Sequence, residues 1–221
     1  MDDFGLEKRL VSRQTVLRLP RYLRFLKTLA DEGERTVSAT VIANSLNLTA
    51  IQVRKDLSSV SRIFGKPRVG FSIGDLMTDI ENYLGYNSMD QVVLVGVGNL
   101  GKALLSYKGF HKYGMHIAAA FDANRDVVGK TFGGNKVYPI GRFQEICNKG
   151  DLRIGIIAVP ETEAQAVCDL MVKSGILAIM NMAPVHVGVP AGILVENENI
   201  ATTLALLARD LSQKLEGEGK K

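Results

Sequence analysis

Three glycines at positions 96, 98 and 101 close an apolar, β-branched run, QVVLVGVGNLG over 91–101. Their spacing, G-x-G-x-x-G, is that of a strand turning into a helix around a phosphate group. The chemistry on offer is anion binding by the main chain. Gly96 permits a tight turn, Gly98 lets a pyrophosphate approach the backbone, and Gly101 lets the helix pack on its strand, with Val97, Asn99 and Leu100 completing the loop. The first amides of the following helix have no intrahelical acceptor. Asp122, 21 residues past Gly101 at the end of a second apolar run over 115–121, supplies the carboxylate that a ribose 2′-hydroxyl requires, with Ala123 beside it. That charge repels a 2′-phosphate, so NADH and NAD are the expected cofactors; Asn124 and Arg125 soften the preference over NADP. A glycine-rich structural turn with an unrelated surface aspartate is the alternative.

A second set of residues is basic and lies elsewhere. Residues 8–74 hold 13 Lys or Arg against 4 Asp or Glu, whereas residues 75–221 hold 14 against 16. A basic N-terminal third joined to a near-neutral remainder points to a polyanionic partner for the first part. Within it, TAIQVRKDLSSVSRIFG reads as the second helix of a helix-turn-helix, N-capped by Thr49. Ile51, Leu57, Val60 and, in part, Val53 are expected to face the core, leaving Gln52, Arg54, Lys55 and Ser59 outward. Gln reads adenine and Arg guanine in a major groove, and Lys neutralises phosphate. GKPRVGFSIG then reads as a β-hairpin wing with Lys66 and Arg68 at its tip, placed against a backbone or minor groove. For any one of these charges a solvated face is the plain reading; their succession favours double-stranded DNA.

These groups need elements to position them. Residues 1–14 are polar and without periodicity. Pro20 suits a first helical turn and Gly33 a stop, with Tyr22, Leu23, Phe25, Leu26 and Leu29 on one face and Arg21, Arg24 and Lys27 on the other. A short helix over 38–45 and the tight 46–48 connection precede the recognition helix. A capped helix over 74–83 ends at Gly85. The winged-helix domain is thus expected over 15–84, with the helix-turn-helix at about 21–61 and the wing at about 64–74. A linker over 86–90 leads to a Rossmann-like α/β domain over 86–197, in which strands and helices alternate as in a parallel sheet with helices on both faces. Strands are expected at 92–95, 117–121, 137–138, 154–158, 178–180 and 193–196, and helices at 99–107, 141–148 and 163–174. Val159 and Pro160, and Ala183 and Pro184, follow strands and belong to loops lining the ligand crevice. A final amphipathic helix over 199–215, with Ile200, Leu204, Leu207 and Leu211 on one face, needs a partner surface.

Composition excludes several classes. No apolar run approaches the roughly 20 residues of a membrane span, and the N-terminus lacks a signal-peptide core, so a cytoplasmic protein with no membrane partner is expected. Cys147 and Cys168 have no metal-like spacing and read as reduced packing residues; no metal is expected.

In order and spacing, RLPRYLRFL, IQVRKDLS, RVGF, VLVGVGNLGKALLSY, AFDAN, AVP and NMAP resemble the bacterial redox-sensing transcriptional repressor family Rex, from about Leu19 to the final helix. The resemblance implies an N-terminal winged helix, a Rossmann domain sensing the NADH to NAD balance, inverted-repeat operators, and a homodimer with exchanged C-terminal helices. It places residues 96–101 on the pyrophosphate, Asp122 on the adenosine ribose, and Arg54 and Lys55 on DNA. It also implies an interdomain relay in which Arg24 and a tyrosine ending the glycine helix, Tyr107, meet an acid from the partner's C-terminal helix. That position is Asn199 here, and the wing aromatic is Phe71 where the family often has tyrosine.

Two other functions compete. A dehydrogenase would share the dinucleotide site, but no Tyr-x-x-x-Lys pair occurs, and His111, His116 and His186 have no acid nearby in sequence to orient them. A CoA-binding regulatory module would share the glycine turn, yet the CoA ribose carries a 3′-phosphate, against which Asp122 is poorly suited.

Overall fold

Ser12 opens the first helix. Its Oγ accepts the Thr15 amide at 3.2 Å, an N-cap, and α1 runs over Arg13–Asp31. The start expected at Pro20 is therefore corrected. Pro20 lies inside α1, where it removes one helical donor, and the helix continues because Leu19 before it and Tyr22, Leu23 and Leu26 after it are buried on one face. The structure, a computed structural model, describes residues 11–61, 70–86 and 90–218. The wing tip with Lys66 and Arg68 and the middle of the linker lie outside them.

The remaining elements of the first unit, Met1–Ser88, are β1 (Thr36–Val37), α2 (Ala39–Leu46), α3 (Ala50–Val60), β2 (Phe71–Ser72) and α4 (Ile73–Leu84). Each helix starts on a side-chain cap: Ser38 accepts the Val41 amide, Thr49 that of Gln52, and Ser72 that of Asp75. Asn47 and Gly85, at φ 55° and 73°, end α2 and α4 in the left-handed region. β1 pairs antiparallel with β2, Val37 opposite Phe71. Ile73, expected within the wing, is instead the first residue of α4.

The second unit, Met89–Lys221, is built on β3 (Asp90–Val95), β4 (Met115–Asp122), β5 (Thr131–Phe132), β6 (Asn135–Pro139), β7 (Ile154–Ile157), β8 (Ala178–Asn181) and β9 (Leu194–Asn197). The order across the sheet is β5-β6-β4-β3-β7-β8-β9, parallel throughout except for the short β5–β6 hairpin, which the sequence reading did not anticipate. Alternation along β3 feeds two cores. Val93 and Val95 pack with Phe143, Cys147, Val167, Cys168 and Met171, from α6 (Phe143–Gly150) and α7 (Glu161–Lys173). Val92 and Leu94 pack with Leu105, from α5 (Asn99–Leu105). Where Val92 pairs with Ile117 but Val93 with Ala119, the extra residue Ala118 makes a bulge, and this turns Ile117 and Ala119 to opposite cores. Both cysteines are buried and free, and burial pushes the Cys147 thiol up to about 11.

Helix boundaries in the second unit also differ from expectation, α7 beginning at Glu161 rather than at 163. α5 stops at Leu105, so Tyr107 does not end the glycine helix but leads into a 3-10 turn over Lys108–Tyr113. The helix read at 141–148 is a 3-10 turn, Ile140–Arg142, followed by α6. α8 (Ile200–Glu218) begins after Asn199, whose Oδ1 accepts the Thr202 amide at 3.1 Å. Along α8, Ile200, Leu204, Leu207 and Leu211 are between 56% and 69% exposed, a bare apolar stripe.

What orients α3 in the first unit is a charge. Asp56, 3% exposed, faces inward where the apolar pattern had assigned Ile51, which is 74% exposed. The Asp56 carboxylate accepts Nε and Nη2 of Arg18 at 2.7 and 2.9 Å, the Tyr22 hydroxyl at 2.7 Å and the Thr15 hydroxyl at 3.0 Å. Burial pulls its pKa up, but these hydrogen bonds outweigh burial and hold it below the usual carboxylate value; burial and the adjacent carboxylate push the Tyr22 phenol up. A group with a depressed folded pKa stabilises the fold above its unfolded pKa and loses that contribution as pH falls through the folded value. Asp56→Ala, which leaves Arg18 unpaired, is therefore expected to cost about 3–5 kcal/mol in urea unfolding at neutral pH. Asp56→Asn is expected to flatten the loss of stability that the wild type shows as pH falls below about 4.

Candidate functional site

The crevice of the second unit is defined by sheet order. β3 sits between β4 and β7, so the connections from its carboxyl end and from β7 diverge, leaving a gap at the switch point. All twelve residues expected to hold the cofactor leave the carboxyl ends of β3, β4, β7 and β8, four neighbouring strands: Gly96, Val97, Gly98, Asn99, Leu100 and Gly101; Asp122 and Ala123; Val159 and Pro160; Ala183 and Pro184. Gly96 has φ +101°, and a Cβ there would collide with the Ala158 carbonyl of the β7 loop. A Cβ on Gly101 would collide with the Gly96 carbonyl, whereas at Gly98 it would meet nothing within 4 Å. The first and third glycines thus close the turn on itself, and the second faces open space. Gly98, Asn99 and Leu100 are exposed at the start of α5, with Gly98 in the N-cap position and no side chain capping it.

Asp122 has a role beyond the one read from its spacing. Its Oδ2 accepts the amide of buried Val97 at 2.6 Å, and its Oδ1 accepts the Asn124 amide at 2.7 Å. The carboxylate ties the glycine loop to the end of β4, and each oxygen keeps a lone pair for a ligand hydroxyl.

On the β8 side the structure shows a pair that sequence reading missed. Asn181 is fully buried; its Nδ2 donates to the Val185 carbonyl at 2.6 Å and to Oδ1 of Asn197 at 2.9 Å, while its Oδ1 accepts the Ala183 amide at 3.0 Å. Asn197 Oδ1 also accepts the Val187 amide at 3.4 Å. Two amides therefore shape the loop carrying Ala183 and Pro184 and fasten it to β9. NMAP holds the only local hint, an asparagine closing an apolar strand.

In the first unit, Arg54 and Lys55 are exposed and Gln52 is half-buried at the first turn of α3. Ser59 is corrected: it is half-buried and its hydroxyl donates to the Asp56 carbonyl at 2.6 Å, while Ser58 is the exposed serine. Arg21, read as outward, donates to the Leu46 carbonyl at the end of α2 at 3.2 Å, and Lys27 pairs with Glu81 of α4 at 2.7 Å. Arg24 is exposed on α1. Tyr107 is exposed in the second unit, its ring edge-on to Phe110 at 5.2 Å. Among the described residues no cluster of His, Cys, Asp and Glu is arranged for a metal, and no helix is long and apolar enough to cross a membrane.

Two family models match the chain: a putative DNA-binding protein N-terminus over residues 10–58 and a CoA binding domain over residues 87–185. A redox-sensing transcriptional repressor Rex from Pelotomaculum thermopropionicum is 42% identical over 204 residues, covering 92% of this chain and 95% of that protein. The crystal structure of RSP in complex with beta-NAD+ and operator DNA superposes with TM-score 0.86 at 29% identity, covering 95% of this chain and 98% of that one. RSP in complex with beta-NADH gives 0.84 at 28% identity, with coverage of 96% and 99%.

The Asn181 network makes a separable prediction. Asn181→Leu leaves the Ala183 amide and the Val185 carbonyl without their side-chain partner. A cost of about 1–3 kcal/mol for the buried Ala183 amide is expected in urea unfolding, with faster proteolytic cleavage within 182–188. Asn197→Ala, at a half-buried position, is expected to be milder on both readouts.

Proposed function

The chain belongs to the Rex family of redox-sensing transcriptional repressors, and we propose that it acts as a homodimer that holds an inverted-repeat operator through α3 and the wing and releases it when NADH enters the crevice. One observation carries this reading: a single chain joins a basic helix-turn-helix, with Arg54 and Lys55 exposed, to a glycine turn whose open side at Gly98 lies on the same sheet edge as the Asp122 carboxylate. The family is one of transcriptional repressors, not enzymes, so hydride transfer is set aside. The matched spans 10–58 and 87–185, together with the two compact units, support a DNA-binding domain over 15–84 and a Rossmann domain over 86–197; residues 199–215 would form the dimerisation helix.

Dinucleotide would lie with its pyrophosphate on 96–101, its adenosine ribose on Asp122, and its far end against Val159, Pro160, Ala183 and Pro184. Thr49, Gln52, Arg54, Lys55, Lys66 and Arg68 would meet DNA. We assign Arg24, Tyr107 and Asn199 to coupling between the two. Asn199 caps α8 with its amide oxygen, a role an aspartate would fill equally while adding charge. The match to a CoA binding domain over 87–185 favours CoA as a second reading, and Asp122 opposes it.

Binding energies test the switch. NADH is expected to lower operator affinity by about 5–150-fold, and operator to lower NADH affinity by the same factor, because linkage is reciprocal. NAD should release the operator far less, and CoA should neither release it nor raise the melting temperature. Asp122→Ala should narrow the preference for NADH over NADPH. Operator affinity indifferent to NADH would overturn the reading.

The bare stripe on α8 supports dimerisation through it. Leu204→Asp with Leu207→Asp is expected to give monomers by sedimentation at concentrations where the wild type is dimeric, with operator affinity falling in step.

A further inference from the structure

α3 carries an isoleucine where a solvated helix would carry a polar residue. Ile51 is 74% exposed in the first turn, two residues past the Thr49 cap. Ile51, Arg54, Lys55 and Ser58 recur at i, i+3, i+4 and i+7, so they share one face, and all four are exposed. On the opposite face Val53, Asp56 and Leu57 are buried. Because Thr15, Arg18 and Tyr22 of α1 all grip the Asp56 carboxylate, α3 has no freedom to roll and tuck Ile51 inward.

A single apolar residue on a protein surface is ordinary; one that opens the outward face of a second helix, a turn ahead of Arg54 and Lys55, calls for a partner. In a helix-turn-helix that face enters the major groove, and its N-terminal residues reach base edges. Ile51 has no hydrogen bond to give there. The one apolar group on major-groove base edges is the C5-methyl of thymine. We propose that Ile51 is a specificity-determining residue that reads a thymine in each half-site by packing on its methyl group. Base readout by α3 is then part apolar, with Gln52 and Arg54 supplying the polar part and Lys55 holding phosphate. The proposal rests on the reading of this unit as operator-binding.

The probe is the duplex that the full-length wild-type chain selects from a random-sequence pool, with each thymine replaced in turn by deoxyuridine, which removes only the methyl. Losing a buried methyl is expected to weaken wild-type binding about fourfold at one thymine per half-site. The same replacement should weaken Ile51→Ala less than about twofold, because the contact is already gone. Ile51→Val, which keeps a branched apolar tip, should stay sensitive. Ile51→Ala should melt with the wild type, since the side chain it trims is exposed; a lowered melting temperature would make Ile51 a packing residue and overturn the proposal. Equal losses in wild type and Ile51→Ala at every thymine, or no sensitive thymine at all, would also overturn it while leaving operator binding intact. If the pool yields no duplex, the operator reading itself fails and the proposal falls with it.

Discussion

At the carboxyl end of β3 there is room at one Cα for hydrogen only. Gly96 has a left-handed φ, and the Ala158 carbonyl and the Val159 side chain occupy the space where a Cβ would stand. This close approach lets the loops after β3 and β7 leave side by side from neighbouring strands and still turn to opposite faces of the sheet. The gap between them is the crevice. Gly101 continues the same constraint one turn later, since the helix that follows can settle over the loop only by bringing its backbone against the Gly96 carbonyl. The remaining loops are then located by strand register: Ala158 donates to Val95, and Met182 to Ile157, so each successive loop starts level with the one before.

In the first unit the comparable constraint is electrostatic. Apolar contacts among Leu19, Tyr22, Leu26, Ile42, Val53 and Leu57 bring α1, α2 and α3 together, but they are non-directional and tolerate a helix rolling about its axis. A carboxylate accepting four directed hydrogen bonds does not. The bidentate Arg18 fork sets the azimuth of α3 and with it the residues shown to the outside. Buried ion pairs add little net stability over an apolar equivalent, and their best-attested use is to fix register; here the quantity fixed is which stripe of α3 faces solvent.

Much of this was legible in the residues. Gly96, Gly98, Gly101 and Asp122 announce themselves because their spacing is local and each position has a steric or electrostatic requirement that few other residues meet. The cap Thr49 is readable for the same reason, whereas Ser38, expected inside its helix, caps it instead. Asp56 was not, because the partners that justify its burial, Arg18 and Tyr22, lie 38 and 34 residues away and hydrophobic periodicity assigns faces by residue type. That rule puts Ile51 inside, whereas the inward group is the charge. Prolines favour first turns, which makes Pro20 look like a start signal; the buried face on both sides of it outweighs one missing donor. The two-residue strands β1 and β5 are too short to alternate visibly, and the Asn181–Asn197 pair spans 16 residues with no pattern between.

The doubly engaged carboxylate of Asp122 bears on how such a chain drifts over evolutionary time. An apolar or basic residue at this position would alter the charge presented to a ribose, but it would also strip the Val97 amide, which is buried, of its acceptor. Such an orphan costs about 1–3 kcal/mol, a large part of the margin by which a domain is folded. A lineage exploring a different nucleotide would therefore pass through a less stable intermediate unless another acceptor for that amide arose first. Ligand preference and loop integrity are inherited together, and the order in which substitutions can be accepted is constrained by a single hydrogen bond.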